Sequence, residues 1–240
     1  MRARTHVNGV RGVRRGSTAW LPDGLRWLHF SFLFTFLLVS LVVPQVVDAT
    51  HSVPSPRVFY DKDNDGIADA TDADFYFQPA GNYWTSDKLA RFDDALSEWR
   101  TRTDYDPLRT TSGAFDVYVD GTSPSIEGCP AFSSADLAVT CIATINRGSY
   151  FDIVDVDIFL NASNKPFHYW DWHNLSYPKW DAEGIFTHEL GHGIELVDLY
   201  GSNCPPGPTM CGSISWIYDS YDLRVLTSDD INAANLVYLP

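Results

Sequence analysis

Two histidines four residues apart, His188 and His192, flank Glu189 in the stretch T-H-E-L-G-H-G-I-E-L-V-D that runs from Thr187 to Asp198. On a helix, residues at i and i+4 project from the same face, so both imidazoles address one point. Two neutral ring nitrogens at that spacing suit zinc, which binds histidine at about 2.0 to 2.1 Å. Glu189 then stands beside the metal, placed to take a proton from a water activated there. A catalytic zinc keeps three protein ligands and one open position. Asp198, six residues past His192, supplies the third if the chain leaves the helix through Gly193 and doubles back, since glycine tolerates the positive φ such a reversal needs. The structural alternative is a pair of partly buried histidines on an amphipathic helix, with Asp198 as a turn or capping residue.

A wider set of residues extends the pattern. H-E-x-x-H, the aspartate six residues on, Pro208-Thr209-Met210 and the closing T-S-D-D-I-N-A-A-N-L-V-Y segment from Thr227 together resemble the metzincin zinc peptidases, most closely the matrixin-like branch, over residues 75 to 240. The resemblance implies an α+β fold of zincin type: a twisted mixed β-sheet, a zinc-site helix, a backing helix and a C-terminal helix. It also implies hydrolysis of peptide bonds, with Met210 as the Met-turn residue that floors the zinc site. By the same resemblance Leu137 and Ala138 look like an edge strand that pairs with extended substrate backbone; an ordinary interior strand is the alternative. The chain departs from the family motif at Glu195, where the family has the glycine that lets the third ligand swing back. Gly212 stands where some relatives carry an extra tyrosine ligand. No thiol precedes the catalytic region to act as a cysteine switch.

The elements that must position these residues are legible from patterning. Asp74 to Gln78 is aromatic and short, as a first strand is. Thr85 or Ser86 caps a helix whose apolar residues Leu89, Phe92, Leu96 and Trp99 share one face, with Glu98 and Arg102 as an outward ion pair. Phe115 to Asp120, Leu137 to Ala143 and Val154 to Leu160 read as strands. Residues 162 to 180 hold Phe167, Tyr169, Trp170, Trp172, Tyr177 and Trp180 among His168 and His173, which reads as a satellite core or a cleft lining. Asn161 and Asn174 begin glycosylation sequons. Thr227 to Asp230 starts the last helix like a capping box, and Ile231, Ala234 and Tyr238 form its inner face.

Residues 1 to 49 have the plan of a signal peptide: six arginines, an apolar run from Phe30 to Val43, and Val47-Asp48-Ala49 before a cut at Ala49. An uncleaved anchor is the alternative, but the run is short for a span of about 20 residues. Arg14-Arg15 faintly suggests twin-arginine export. The whole chain carries a formal net charge of −14, and without the leader 11 basic residues face 29 acidic ones. That argues against nucleic acid and an anionic membrane surface as partners, since a phosphate-binding surface needs clustered Lys and Arg, and no stable membrane anchoring is expected. Four cysteines fall into two local pairs, Cys129 with Cys141 and Cys204 with Cys211. In an oxidising compartment local disulfides are the economical choice of three connectivities, and no C-x-x-C spacing favours metal binding.

Residues 61 to 72, D-K-D-N-D-G-I-A-D-A-T-D, space oxygens as an EF-hand loop does. Asp61, Asp63, Asp65, the Ile67 carbonyl, Asp69 and Asp72 would wrap calcium, with Gly66 at the sharp turn; a solvated acidic turn is the alternative. The expected organisation is a leader at 1 to 49, a calcium-loop segment at 50 to 80 and a catalytic domain at 81 to 240, its first strand starting near 74. The expected function is that of a secreted, monomeric zinc endopeptidase acting on protein or peptide. A calcium-stabilised binding module on an inactive zincin scaffold, favoured by Glu195, and a zinc hydrolase of a non-peptide bond remain alternatives.

Overall fold

A computed structural model of the chain describes residues 4–11 (as backbone), 57–63, 65–66, 68–69, 73–78, 83–113, 115–119, 129, 133, 136–169, 179–200, 209–212 and 222–238. The chain divides into one unit of residues 1–13 and 49–240 and another of residues 14–48. The second unit lies outside the described residues, as do Ala49, Ile67, Asp72, His173, Asn174, Cys204 and Pro208.

In chain order the elements of the first unit are β1 (Arg4–Arg11), β2 (Val58–Phe59), β3 (Asp74–Phe77), α1 (Ser86–Arg102), β4 (Leu108–Thr110), β5 (Phe115–Val119), β6 (Asp136–Asn146), β7 (Phe151–Leu160), β8 (Phe167–His168), β9 (Trp180–Asp181), α2 (Ala182–His192) and α3 (Ser228–Tyr238). Seven strands form one sheet in the order β1-β6-β7-β5-β3-β4, with β2 also on β7. The β3/β4, β3/β5, β5/β7 and β2/β7 pairs are parallel, while β6 runs antiparallel to both β7 and β1. The fold is therefore mixed α/β, a mostly parallel sheet with three helices among the described residues, which is the expected plan in its coarse form.

Alternation along β7 explains its place. Val156, Ile158 and Leu160 face the main core. Asp155, Asp157 and Phe159 turn to the other side, where Phe159 joins Val139 and Cys141 with Tyr118 and Cys129 against them. On that side the expected Cys129–Cys141 disulfide ties β6 to the preceding segment, with a Cα–Cα separation of 5.9 Å. Cys211 is also disulfide-bonded.

The helices cover the core side. On α1, Phe92, Ala95, Leu96 and Trp99 are buried and Arg102 pairs with Glu98 at 3.2 Å, as the spacing predicts. Thr85 is the N-cap residue, but its side chain makes no capping hydrogen bond. The Trp99 indole N–H donates to the Thr187 carbonyl at 2.9 Å and so fastens α1 to α2. Apart from Glu183, every residue of α2 is buried. This is not an amphipathic surface helix but a helix buried on nearly every face, its polar residues Thr187, His188, Glu189 and His192 included. On α3 the capping box forms: the Thr227 N–H and hydroxyl donate to Asp230 Oδ2 at 2.8 and 2.7 Å.

The outer side of β6 differs from expectation. Residues 4–11, expected in the basic start of a leader, lie antiparallel along it from Arg4 opposite Thr144 to Arg11 opposite Asp136, with a register shift after Gly9. Leu137 and Ala138 fall opposite that register shift, between the paired Asp136 and Val139. An unpaired strand edge exposes a row of N–H and C=O groups, and extended chain within reach satisfies them.

Candidate metal centre

Asp181 starts the site. It is fully buried and caps α2 by accepting from the Gly184 N–H at 2.7 Å. The Arg224 guanidinium forks onto it, Nε at 2.9 Å and Nη2 at 2.6 Å, and reaches Glu183 with Nη1 at 2.8 Å. A buried carboxylate at a helix N-terminus suits the helix dipole, and the fork supplies the opposite charge its burial requires. Burial pushes the Glu183 carboxyl up to about 7 despite Arg224.

One helical turn on, His188 and His192 point the same way. His188 Nδ1 lies 2.6 Å from the Thr209 carbonyl and His192 Nδ1 2.7 Å from the Leu196 carbonyl. A carbonyl oxygen only accepts, so both Nδ1 atoms carry a proton, which leaves Nε2 as the ring atom turned to ligation. Backbone carbonyls therefore set the tautomer that metal ligation by Nε2 needs. Asp198 Oδ1 stands 3.2 Å from His188 Nε2 and 3.3 Å from His192 Nε2. All three atoms are buried and none meets hydrogen-bond geometry with a partner. Three orphaned donor atoms within 4.8 Å of one another are the arrangement a cation would complete. Burial works against ionisation of Asp198, but the two imidazoles outweigh it and hold the carboxyl below the usual range. For His188 burial pulls the pKa down, and the Asp198 carboxylate reverses this to leave it at about 9, so without a metal Nε2 holds a proton that an entering cation displaces.

The turn that delivers Asp198 is not made as the spacing predicts. Gly193 is right-handed helical at φ −57, whereas Glu195 itself adopts the left-handed conformation at φ 63. The Glu195 N–H donates to the His192 carbonyl at 2.8 Å and the Leu196 N–H to the Gly191 carbonyl at 3.1 Å, the hydrogen-bond pair of a Schellman turn. Glu195 thus takes the place a glycine usually fills, at a conformational cost of about 1 to 2 kcal/mol. Beyond the turn, the Leu199 N–H donates to the Met210 carbonyl at 2.7 Å and the Gly212 N–H to the Leu199 carbonyl at 3.1 Å, seating Asp198 beside the segment that carries Met210.

Two glycines are required by close approach. A Cβ on Gly191 would lie 2.3 Å from Met210 Sδ, and one on Gly212 2.5 Å from the Asp198 carboxyl carbon. Met210 is fully buried beneath the histidine helix. Asp230 holds that segment from α3: its carboxylate accepts from the Thr209 N–H at 3.0 Å and the Met210 N–H at 3.3 Å.

Glu189 is fully buried, and Thr140 on β6 donates its hydroxyl to Glu189 Oε2 at 2.6 Å. Burial raises the Glu189 pKa, with His192, His188 and Thr140 opposing. A carboxylate so placed accepts a proton more readily than one in water.

Of the residues named from sequence, the structure brings together His188, Glu189, His192 and Asp198 with Met210 below. Sequence reading missed Thr140, Asp181, Arg224 and Tyr200, and it named Asp230 only as a capping residue. Asp181 alone carried a signal, as an acid just before the helix.

In the acidic loop, carboxylate oxygens of Asp61, Asp63 and Asp65 gather within 4.8 Å, and Gly66 takes the expected left-handed turn at φ 87. Asp61, buried, also accepts from the Tyr150 hydroxyl. The Asp69 carboxylate is turned instead to the Lys62 N–H at 2.6 Å and stands outside the three-carboxylate group. Asn161 is fully buried with its amide on the Asp136 carbonyl at 2.9 Å, so it offers no glycosylation site. Compared with protein-family models and with curated proteins, the sequence returns no match.

Proposed function

We propose that the chain is a zinc-dependent endopeptidase of metzincin type, exported and acting on protein or peptide. The observation that carries this reading is the convergence of His188 Nε2, His192 Nε2 and Asp198 Oδ1, each buried and orphaned, with a desolvated carboxylate on the intervening residue. Nitrogen, nitrogen and one carboxylate oxygen make a three-ligand set of the kind catalytic zinc uses. The chemistry zinc supplies when bound is Lewis-acid polarisation of a carbonyl and acidification of water from 15.7 towards about 7. Glu189 accepts the water's proton and returns it to the leaving amine. Thr140 holds one oxygen of that carboxylate, which leaves Oε1 to face the reacting water. Met210 packed under the histidine helix is in keeping with the Met-turn role that the resemblance implies. Glu195, the residue that favoured a non-cutting scaffold, makes the turn itself, and Asp198 still arrives beside both imidazoles.

We also propose that the Asp61-Asp63-Asp65 loop holds a structural calcium ion, as oxygen-rich loops of this spacing do. Calcium should raise the thermal unfolding midpoint of the chain, and a midpoint indifferent to calcium and chelator rules the ion out.

Hydrolysis of an unfolded protein tests the main reading. Activity that is lost on zinc chelation, restored by zinc and absent in Glu189→Ala supports it. Protein loaded with one zinc that cleaves nothing at any pH sinks it.

A further inference from the structure

Two of the chain's four lysines, Lys88 and Lys179, line a single cavity of about 240 Å³. It lies between the first turn of α1, which supplies Thr85 and Lys88, and the β8–β9 region, which supplies Phe167, His168 and Tyr169. None of these residues belongs to the histidine centre. In a chain of formal net charge −14, two lysines lining one hollow set positive charge against the prevailing sign.

Among the described residues Lys88 has no counter-ion; its ammonium lies 3.3 Å from the centre of the Tyr83 ring and 5.1 Å from that of Tyr169. Ring faces attract a cation most when water is excluded. The rings are themselves fixed, since the Tyr83 and Tyr169 hydroxyls bond each other and Tyr83 packs edge-on against Trp84. Partial burial lowers the Lys88 amine from the ordinary lysine pKa. Asp87 is the one carboxylate in the lining among the described residues, and it is exposed. The cation is thus partly desolvated and held against ring quadrupoles.

We propose that this cavity binds a small organic carboxylate, its charge on Lys88 and Lys179 and its apolar body against Phe167 and Tyr169. The volume is below the roughly 300 to 1,000 Å³ of drug-sized sites, so the occupant is an acid of amino-acid size. The aromatic wall favours a carboxylate with an apolar body over inorganic phosphate. The site also adjoins the support of the histidine helix: His168 Nε2 is 3.4 Å from Asp181 Oδ2, and Asp181 caps α2.

The test is isothermal titration of N-acetylphenylalanine into the full chain after metal has been stripped by chelation, so that no metal can capture the carboxylate. N-acetylphenylalanine amide and inorganic phosphate are titrated in parallel. One-site saturable binding of the acid is expected, with none of the amide. Lys88→Gln and Lys179→Gln should each weaken it at least tenfold, as loss of a charge-assisted contact does, with unchanged thermal unfolding midpoints. No binding of the acid, equal binding by the amide or by phosphate, or undiminished binding in both lysine variants overturns the proposal. Because the protein is metal-free throughout, the outcome is independent of the peptidase reading.

Discussion

The Tyr200 hydroxyl donates a 2.8 Å hydrogen bond to Asp198 Oδ2, while the other oxygen of the same carboxylate faces both histidines. The two oxygens have separate tasks, one turned to the cation position and the other held by a phenol. A carboxylate anchored at one oxygen is biased to offer a single donor atom, which keeps the fourth position of a tetrahedral site open.

Tyr200→Phe should therefore weaken zinc binding by about tenfold, the lower end of what loss of a ligand's own support costs. Competition with a chromophoric chelator measures this without reference to activity. Affinity equal to the parent protein's would mean that the phenol does not orient the ligand.

Gly191→Ala tests the packing under the helix. The added methyl meets Met210 Sδ and the Trp99 ring, and overpacking a tight core costs about 1 to 3 kcal/mol. Chemical denaturation should show that loss, and Gly191→Ala combined with Met210→Ala should recover part of it. Additive losses in the double variant would place the strain elsewhere.

Thr140→Val removes the hydroxyl that favours ionised Glu189. The Glu189 pKa should rise, and since the base must be ionised to act, the acid limb of the kcat/KM profile should move to higher pH. Zinc content should be unchanged. An unshifted limb with lowered activity would make Thr140 a packing residue only.

Asp157 gives a pH dependence of stability. Burial, then Asp155 and Asp116, push its carboxyl from the ordinary 3.8 up to about 8. The folded state thus holds a proton that the unfolded state has released, so the associated stability is full below about 4 and lost as pH rises towards about 8. Asp157→Asn, which cannot ionise, should match the parent at pH 4 and exceed it by at least about 1 kcal/mol at pH 8 to 9. Parallel stability curves would show that Asp157 is not the titrating group.

The local part of this fold was readable because its signals are local. The 3.6-residue stripe of α1, the i, i+4 histidines and the T-x-x-D start of α3 each lie within one or two turns of chain. What escaped depended on distance in sequence. Thr140 looks like one more β-branched strand residue until β6 is laid against α2, and Asp230 looks like a simple capping residue until Thr209 and Met210 arrive at its other side. Position 195 was marked by the resemblance as the turn, but that Glu195 itself would take the left-handed conformation was not foreseen. The hydrogen-bond pattern demands a left-handed residue there, and glycine only makes that cheaper. Sequence preference pointed to Gly193; the Schellman pairing required position 195.

The strand at residues 4–11 has a consequence for handling the molecule. A fragment that begins at Thr50 lacks those residues, so the outer side of β6 from Asp136 to Thr144 becomes a bare row of amides and carbonyls. Such a row templates any extended chain, including a second copy of itself. Light scattering of the fragment should therefore rise with concentration where that of the full chain does not, and the shorter protein should keep best when dilute.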